Sequence, residues 1–402
     1  MNPGRSMRAC TGASICPLMA LRRGCVIPDN PGMKRLELLD YGRLAAALGV
    51  LAYHYLFFGV SKGLVTSISP VPAEVAWAKY GFLGVQFFFL ISGFVIFQSA
   101  CGKSAGSFLA SRAARLYPAF WVALTCTALV AWLSGHAPIA ITFKQYLVNT
   151  TMFYSELGQP PVDGVYWTLS YEWHFYLLVF GALALGLEAR LPLLFGLWSL
   201  FLAFTYLVGG QSLPYGDSYY AWFVAGAFFA MLLRKKAWWM VACLALTLYV
   251  CYGALFAYCD RFLLDKGVPL DKGVAGAIIT CQVVFFALLM TPRAAALRLP
   301  GSRLAGGLTY PLYLVHAHIG YVVLTRIGTE SNRTMALIVT SIAMLLLAAA
   351  IHYGVERRYA RFWQHLFTRT FGALGDAAAG RIARLTGRIG DAGSRDGQNW
   401  MR

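Results

Sequence analysis

Two ionisable side chains, Arg43 and His54, lie eleven residues apart in one long apolar stretch of the sequence. In an α-helix this spacing brings both to one face, about 16 Å apart along the axis. The ordinary pKa of an imidazole lies near neutrality, so His54 is suited to take a proton from a hydroxyl nucleophile. The pattern predicts His54 as a general base, with Arg43 on the same face. The alternative is that His54 is only a hydrogen-bonded residue in a helix core.

Two further apolar segments carry ionisable groups: Glu172 lies in YWTLSYEWHFY and His316 lies in YPLYLVHAHIG. His174 follows Glu172 by two residues and so faces elsewhere on a helix. Charged groups inside apolar spans are costly, and they often mark functional sites. We therefore expect His54, Glu172 and His316 to lie at a similar depth. A hydrogen bond to a neighbouring helix would explain Glu172 equally simply.

A basic pair and a glycine complete the candidate site. Arg112 and Arg115, in SRAARLYP, lie between two apolar stretches, and arginine suits phosphate because its charge is permanent and its contacts are bidentate. Gly93 lies seven residues after Gln86, on the same helix face, and lacks a side chain that would block a backbone or ligand. The alternatives are that the arginines only orient the chain in a membrane and that Gly93 only allows helices to pack.

Composition indicates which elements position these groups. Of the 402 residues, 58% are hydrophobic and 13% are charged, about half the charged share of a typical soluble domain. The sequence therefore predicts an all-α, polytopic membrane helix bundle. A spanning helix needs roughly 20 apolar residues. Ten candidate spans cover about 42–59, 80–99, 118–134, 166–186, 191–209, 218–233, 238–258, 273–291, 306–325 and 334–355.

The basic residues indicate the orientation of these spans. If the N-terminus is inside, about three quarters of the Lys and Arg lie in inside segments, so both termini are expected to be cytoplasmic. We predict a disordered cytoplasmic extension at 1–33, a transmembrane domain at 34–360 and a cytoplasmic basic tail at 361–402. The tail would lie either on an anionic leaflet or in solution as disordered chain.

Two other classes of protein are disfavoured by the sequence. The net charge of +17 would suggest nucleic acid binding in a soluble protein, but here the basic residues fall mostly between apolar spans. The nine cysteines show no CxxC spacing, so no metal site is predicted.

Five of these segments together resemble the acyltransferase-3 family of membrane proteins, which O-acylate bacterial glycans. The matching segments, in chain order, are LLDYGRLAAALGVLAYHY (38–55), FFFLISGFVI (87–96), RAARLYPAF (112–120), YWTLSYEWHFYL (166–177) and LTYPLYLVHAHI (308–319). The resemblance covers about residues 34–360. Two details depart from the family: Ser111 replaces the first arginine of an Arg-Arg pair, and no proline follows Glu356 closely.

The resemblance implies roles for individual residues. His54 matches the family's essential histidine and Arg43 its arginine partner, while Glu172 matches an acidic residue of the fourth span. Arg112 and Arg115 match arginines associated with the acyl donor. No hydrolase-like domain follows the last span, so the membrane domain is expected to act alone.

The implied reaction is transfer of an acyl group, expected to be acetyl, from cytoplasmic acyl-CoA to a hydroxyl. The acceptor would be exopolysaccharide, lipopolysaccharide, a lipid-linked saccharide or a small molecule, at the bacterial inner membrane. Acyl-CoA would be a co-substrate rather than a bound cofactor, and neither nucleic acid nor metal takes part. Two other hypotheses stay open from the residues alone. One is a proton-coupled transporter without acyl transfer, and the other is a scaffold for glycan-assembly proteins.

Overall fold

The structure is a computed structural model that describes residues 36–135 and 139–398. In these residues every regular element is a helix and no strand occurs, as predicted. The predicted extension 1–33 lies outside the described residues. The first nine helices are α1 (Glu37–Tyr53), α2 (Gly59–Ser61), α3 (Pro72–Ala78), α4 (Leu83–Ala100), α5 (Ala105–Ser134), α6 (Phe143–Asn149), α7 (Trp167–Ala184), α8 (Leu191–Val208) and α9 (Tyr219–Arg234).

The second half of the chain continues this pattern. Its helices are α10 (Trp238–Lys266), α11 (Lys272–Leu289), α12 (Pro292–Ala296), α13 (Ser302–Val315), α14 (His318–Ile327), α15 (Arg333–Ile351), α16 (Ala360–Phe367) and α17 (Ala373–Gln398). Short 3-10 turns cover Gly164–Tyr166 and Glu188–Arg190, and π-helical turns cover His54–Phe58, His352–Arg357 and Thr368–Gly372.

Among the described residues, seven helical segments are long and apolar enough to cross a membrane by length and composition. They are Glu37–Ser61, Pro72–Ala100, Ala105–Ser134, Glu188–Val208, Trp238–Lys266, Lys272–Leu289 and Arg333–Arg357. The predicted spans 166–186, 218–233 and 306–325 are also helical, as α7, α9 and α13–α14, but they fall short of that length or apolarity. The helical membrane architecture agrees with the sequence, and the count of ten stays a prediction.

The outer face of α8 shows why this bundle suits a membrane. Its exposed side chains Leu193, Leu197, Leu200, Phe204 and Leu207 recur at intervals of three and four residues, and so form one apolar stripe. A stripe of this kind facing water would be unfavourable, whereas facing lipid it needs no partner.

Helix α5 begins earlier than the sequence suggested. The predicted third span starts at 118, but α5 starts at Ala105, where the Ser104 hydroxyl accepts a hydrogen bond from the Ser107 N–H. Arg112 and Arg115 therefore lie inside a helix rather than in a loop between spans. Their side chains are directed by helix geometry, three residues apart on one face.

The predicted span 306–325 is broken in the middle. Helix α13 ends at Val315, and Ala317 adopts a ψ of −83°, outside the helical region, before α14 starts at His318. A helix break frees backbone hydrogen-bonding groups, which inside a membrane must find partners from other parts of the protein. His316 lies at this break.

The tightest helix packing joins α4 to α9 through two glycines. A Cβ atom at Gly93 would collide with the carbonyl oxygen of Phe223, and one at Gly226 would collide with that of Leu90. Gly93 therefore lets two backbones approach, which agrees with the alternative that it allows helices to pack, and a place beside a ligand stays a prediction. Small residues at such crossings give van der Waals contact that larger residues prevent.

The described part of the C-terminal tail is helical, which corrects the disordered alternative for these residues. In the turn between α16 and α17 and in both helices, side chains pack on α5. Phe367 stacks with Tyr117 at a ring separation of 5.9 Å and lies 6.0 Å from the Trp121 ring. The Gly106 N–H donates to Asp376 Oδ1 at 3.0 Å. These contacts hold the tail against the membrane domain.

We predict that Gly93→Ala destabilises the protein, because the added methyl group must displace the Phe223 backbone. Overpacking typically costs about 1–3 kcal/mol, and a backbone obstacle leaves less room to relax than a side chain does. Thermal unfolding of the detergent-solubilised protein would measure the effect. Gly181→Ala, in α7, is the control, because a Cβ at Gly181 meets nothing within 4 Å. Equal midpoints for the two variants would contradict the packing role.

Candidate active site

Three cavities follow one another through the helix bundle, with volumes of about 910, 150 and 350 Å³. We name them by their residues. The arginine cavity is lined by Arg43, Arg112, Arg115, Arg303 and Arg357, the middle cavity by Ser92, Glu172 and Tyr176, and the histidine cavity by His54, Asp163 and His318.

Shared wall residues place the three cavities side by side. Arg43, Arg112 and Arg115 line both the arginine cavity and the middle cavity. Val85 and Tyr313 line both the middle cavity and the histidine cavity. The cavities therefore form a series from the arginines to His54, and the middle cavity, which is mostly apolar, has the smallest volume of the three. We call this series the path.

Two ion-paired groups shape the arginine cavity. Arg43 contacts the buried Asp40 carboxylate at 3.3 Å, one helical turn away. Arg115 contacts Glu356 Oε1 at 3.2 Å, and His352 Nδ1 lies 2.8 Å from Glu356 Oε2. His352 and Glu356 come from the π-helical turn that follows α15. The carboxylates fix the arginine side chains without removing the excess of positive charge.

That excess suits an anionic ligand. Five arginines face the arginine cavity against the carboxylates of Asp40 and Glu356. Nearby, in the turn between α4 and α5, partial burial and then the charge of Arg112 lower the pKa of Lys103. A cleft with one sign of charge attracts counter-ions of the other sign, and arginine clusters favour phosphate.

Glu172 lies in the middle cavity, so the expectation that it shares a site with His54 and His316 is not met. Its Oε1 accepts a hydrogen bond from the Ser92 hydroxyl at 3.1 Å and another from the Tyr176 hydroxyl. Both partners come from the walls of the same cavity. These contacts agree with the alternative in which Glu172 is explained by a hydrogen bond to a neighbouring helix.

His54 stands in the histidine cavity at the start of a π-helical turn. The α-helical hydrogen bonding of α1 ends at Tyr53, and the His54–Phe58 turn has the wider winding often found at functional sites. His54 Nδ1 is hydrogen-bonded to the Tyr321 hydroxyl of α14. This contact leaves Nε2 as the ring nitrogen available to a molecule in the cavity.

His316 packs directly behind His54. The two rings meet edge to face, with centroids 4.9 Å apart. His316 Nδ1 lies 2.9 Å from the Tyr313 carbonyl oxygen, so this nitrogen carries the proton and donates it. Within the described residues, His316 Nε2 has no hydrogen-bond partner. His316 is buried and does not line the cavity, so it supports His54 rather than meeting a ligand.

The carboxylate beside the histidines is Asp163, which sequence reasoning missed. Asp163 is fully buried, and its Oδ2 accepts the His318 N–H at 2.9 Å. Its Oδ1 accepts the Val165 N–H at 3.2 Å. The carboxylate thus caps the first turn of α14, where the helix dipole favours a negative charge. It holds the helix break that places His316 against His54.

Each predicted residue now has a location. His54 and His316 meet, and Arg43, Arg112 and Arg115 line the other end of the path. Glu172 lies between the two groups, and Gly93 lies in helix packing. The signal for Asp163 was present in the sequence PPVDGVYW, where an Asp-Gly pair precedes a helix.

Comparison with known proteins identifies the kind of molecule that has this path. Residues 36–353 match the model of the acyltransferase-3 family, described as an acyltransferase domain. The chain belongs to this family. It is an acyltransferase, in agreement with the resemblance of its motifs.

Two curated relatives are similar to this chain. The exopolysaccharide production protein ExoZ of Rhizobium meliloti (strain 1021) is 29% identical over 289 residues, which cover 67% of this chain and 87% of that protein. An O-acetyl transferase of Shigella phage Sf6 is 29% identical over 169 residues, which cover 38% of this chain and 47% of that protein. No solved structure matches the chain.

We predict that Asp163→Asn lowers the rate of acyl transfer about tenfold or more without changing the KM for the acyl donor. The amide keeps the size of the carboxylate but turns an N–H₂ group toward one of the two N–H donors. The helix break would then shift His316, whereas the arginine cavity is remote from the change. An unsatisfied buried donor also costs about 1–3 kcal/mol of stability.

The measurements are steady-state kinetics and thermal unfolding of the same preparations. Asp271→Asn is the control, because Asp271 caps α11 through the Val274 N–H, outside all three cavities. This control would lose some stability and keep its rate. A rate for Asp163→Asn equal to that of the control would remove Asp163 from the site.

Proposed function

We propose that this protein is an integral membrane O-acyltransferase of the bacterial inner membrane. It transfers an acyl group, acetyl in the simplest case, from cytoplasmic acyl-CoA to a hydroxyl of an exported or cell-envelope glycan. The observation that carries the proposal is the series of adjoining cavities from the arginine cavity to His54. We retain ten spans and cytoplasmic termini as parts of the same proposal, because the basic residues favour that orientation.

The arginine end of the path suits the donor. Acyl-CoA carries phosphates, which Arg112 and Arg115 would hold at the boundary between the arginine cavity and the middle cavity. The pantetheine arm is thin and uncharged, and it suits the small, mostly apolar middle cavity. The thioester at its tip would then reach toward Tyr313 and the histidine cavity.

At the far end, His54 is the proposed general base. Its Nδ1–H would donate to the Tyr321 oxygen, so Nε2 is free to take the proton of an acceptor hydroxyl. The hydroxyl oxygen attacks the thioester carbonyl carbon, a C–O bond forms, and the C–S bond breaks. The proton held by His54 then passes to the departing thiolate of CoA. His316 and Tyr321 would orient the His54 ring throughout the reaction. Arg43 would act at the donor end of the path.

The walls of the histidine cavity suit a sugar. Aromatic rings of Phe82, Trp167, Tyr219 and Tyr258 line it together with polar groups. Aromatic faces pack against the C–H faces of pyranose rings, while hydroxyl and imidazole groups hydrogen-bond the sugar oxygens. The names of the two relatives, which concern exopolysaccharide production and O-acetyl transfer, support an envelope glycan as acceptor. Lipopolysaccharide and lipid-linked saccharides have the same chemistry.

The alternative of a proton-coupled transporter has less support. Intramembrane histidines and a central path also suit proton movement. Membership of an acyltransferase family favours chemistry along the path instead.

We predict that His54→Ala abolishes glycan acylation in cells that depend on this protein. A general base contributes about 10²–10⁴-fold to a rate, so the product would fall below detection. Mass spectrometry of the surface glycan, with and without the gene, would show the loss of an acetyl increment. His174→Ala is the matched control, because His174 pairs with Glu156 at 2.9 Å and lies outside the three cavities.

Both variants need wild-type levels in the membrane fraction for the comparison to hold. Acetylated glycan from His54→Ala at normal membrane levels would contradict the proposed base. Transport of a substrate into liposomes without any acylated product would instead favour the transporter.

A further inference from the structure

One wall of the arginine cavity comes from residues C-terminal to the part of the chain that matches the acyltransferase family. This wall begins where the π-helical turn after α15 leads into α16. Its members are Glu356, Arg357, Ala360, Trp363 and Gln364. We call these five residues the C-terminal wall. Arg303, at the start of α13, lies on the same cavity.

The arginines around this cavity lie at two depths. Arg112 and Arg115 line both the arginine cavity and the middle cavity, so they stand at the inner end. Arg303 and Arg357 line only the arginine cavity and stand farther from the path to His54. The two pairs would therefore meet different parts of a long ligand that enters from the arginine end.

Arg303 and Arg357, the outer pair, also differ from the inner arginines in their ion-pair partners. Arg115 is held by Glu356, and Arg43 is held by Asp40. In the described part of the chain, neither Arg303 nor Arg357 forms an ion pair with a carboxylate. The Arg357 guanidinium lies over the Tyr353 ring, 5.5 Å from its centroid, which orients it without neutralising it.

An aromatic surface accompanies these charges. Trp363 is half-buried, and its indole N–H donates to the Val355 carbonyl oxygen at 3.3 Å. Its ring stacks on Phe367 at 6.2 Å. These contacts fix the ring, and the side of Trp363 that lines the cavity offers a flat face for a planar ligand.

The order of groups in coenzyme A matches this arrangement. From the thiol outward, the molecule carries a pantetheine arm, a diphosphate and an adenosine with a phosphate on the ribose 3′ oxygen. With the thiol near His54, the diphosphate reaches Arg112 and Arg115, and the adenosine end lies in the outer part of the cavity. This alignment rests on the proposed function, in which acyl-CoA is the donor.

We propose that the C-terminal wall and Arg303 form the nucleotide subsite of the donor. Arg303 and Arg357 bind the 3′-phosphate, and the Trp363 ring packs on the adenine. The protein would thus distinguish acyl-CoA from donors that carry only a phosphopantetheine arm, through Arg303 and through residues beyond the matched family domain. A phosphate of a lipid headgroup would present the same chemistry to these arginines, and the experiment separates the two sources.

The test compares coenzyme A with 3′-dephospho-coenzyme A in binding to the full-length protein. Calorimetry would be carried out in phosphatidylcholine nanodiscs, which contain no anionic lipid. We expect the wild type to bind coenzyme A about five- to tenfold more tightly, less than a buried charge would give because Arg357 is exposed. In Arg357→Gln and Arg303→Gln the ratio would fall toward one. Binding of 4′-phosphopantetheine, which lacks adenosine, would not change.

Arg358→Gln is the matched control. Arg358 is the next residue, it is equally exposed, and it lies over the Tyr359 ring and not on the cavity. It should keep the wild-type ratio. The nucleotide subsite is overturned if Arg357→Gln and Arg358→Gln give the same ratio. It is also overturned, in favour of a lipid headgroup, if Arg357→Gln changes the ratio only after anionic lipid is added.

The outcomes also separate this inference from the proposed function. If the wild type does not bind coenzyme A at all, acyl-CoA is not the donor, and both the proposed function and the subsite fail. Only the subsite fails if coenzyme A binds and acyl transfer proceeds, but substitution of Arg357 or Arg303 leaves the ratio of the two affinities unchanged.

Discussion

The site depends on the buried carboxylate of Asp163, which accepts hydrogen bonds from two backbone N–H groups. Inside a membrane bundle, a helix cannot break unless the freed backbone groups find partners. Asp163 supplies that partner for the His318 N–H, from a loop far away in the sequence. Because α14 can start at that point, the chain turns directly after His316, the residue that caps α13 and packs against His54. The same break brings the Tyr321 hydroxyl to His54 Nδ1.

A second consequence of burial appears at the other end of the path. Charged groups near lipid are retained where they are paired or face a wet cavity. Arg43 and Arg115 meet carboxylates, and the cavity that they face is the largest of the three. Arginines thereby line one end of the path and an imidazole lines the other. The middle cavity keeps the two environments apart, with Glu172 satisfied by two hydroxyl groups.

Local patterns in the sequence were sufficient for the features that depend on one helix at a time. The apolar stretches indicated the helical membrane class, and the apolar context of His54 marked it as a candidate site residue. The early start of α5 was missed because Arg112 and Arg115 were read as loop residues, although a Ser104 cap precedes them. The break after α13 was missed because its partner, Asp163, lies in another segment.

Contacts between helices account for the remaining differences. Glu172 lies in α7, but the direction of its side chain depends on Ser92 of α4, which no helical period reveals. The role of Gly93 likewise depends on Phe223 of α9. In both cases the sequence was sufficient to single out the residue as unusual within its apolar span. Only the packing decides whether that residue faces a cavity or another backbone.

Val85 and Tyr313 line both the middle cavity and the histidine cavity. In the proposed reaction, this boundary would allow one path to serve a donor on one side of the membrane and an acceptor on the other. Tyr313 is held by hydrogen bonds to the Val165 carbonyl oxygen at 3.0 Å and to the Thr168 hydroxyl at 2.9 Å, so its ring is fixed between the middle cavity and the histidine cavity. A flexible thioester arm can pass a constriction that would hinder a sugar ring or a column of water. Exclusion of water protects a thioester from hydrolysis and limits proton leakage along the path. In the proposed reaction, the acyl group would therefore cross the middle of the protein while the donor nucleotide and the acceptor each stay at their own end.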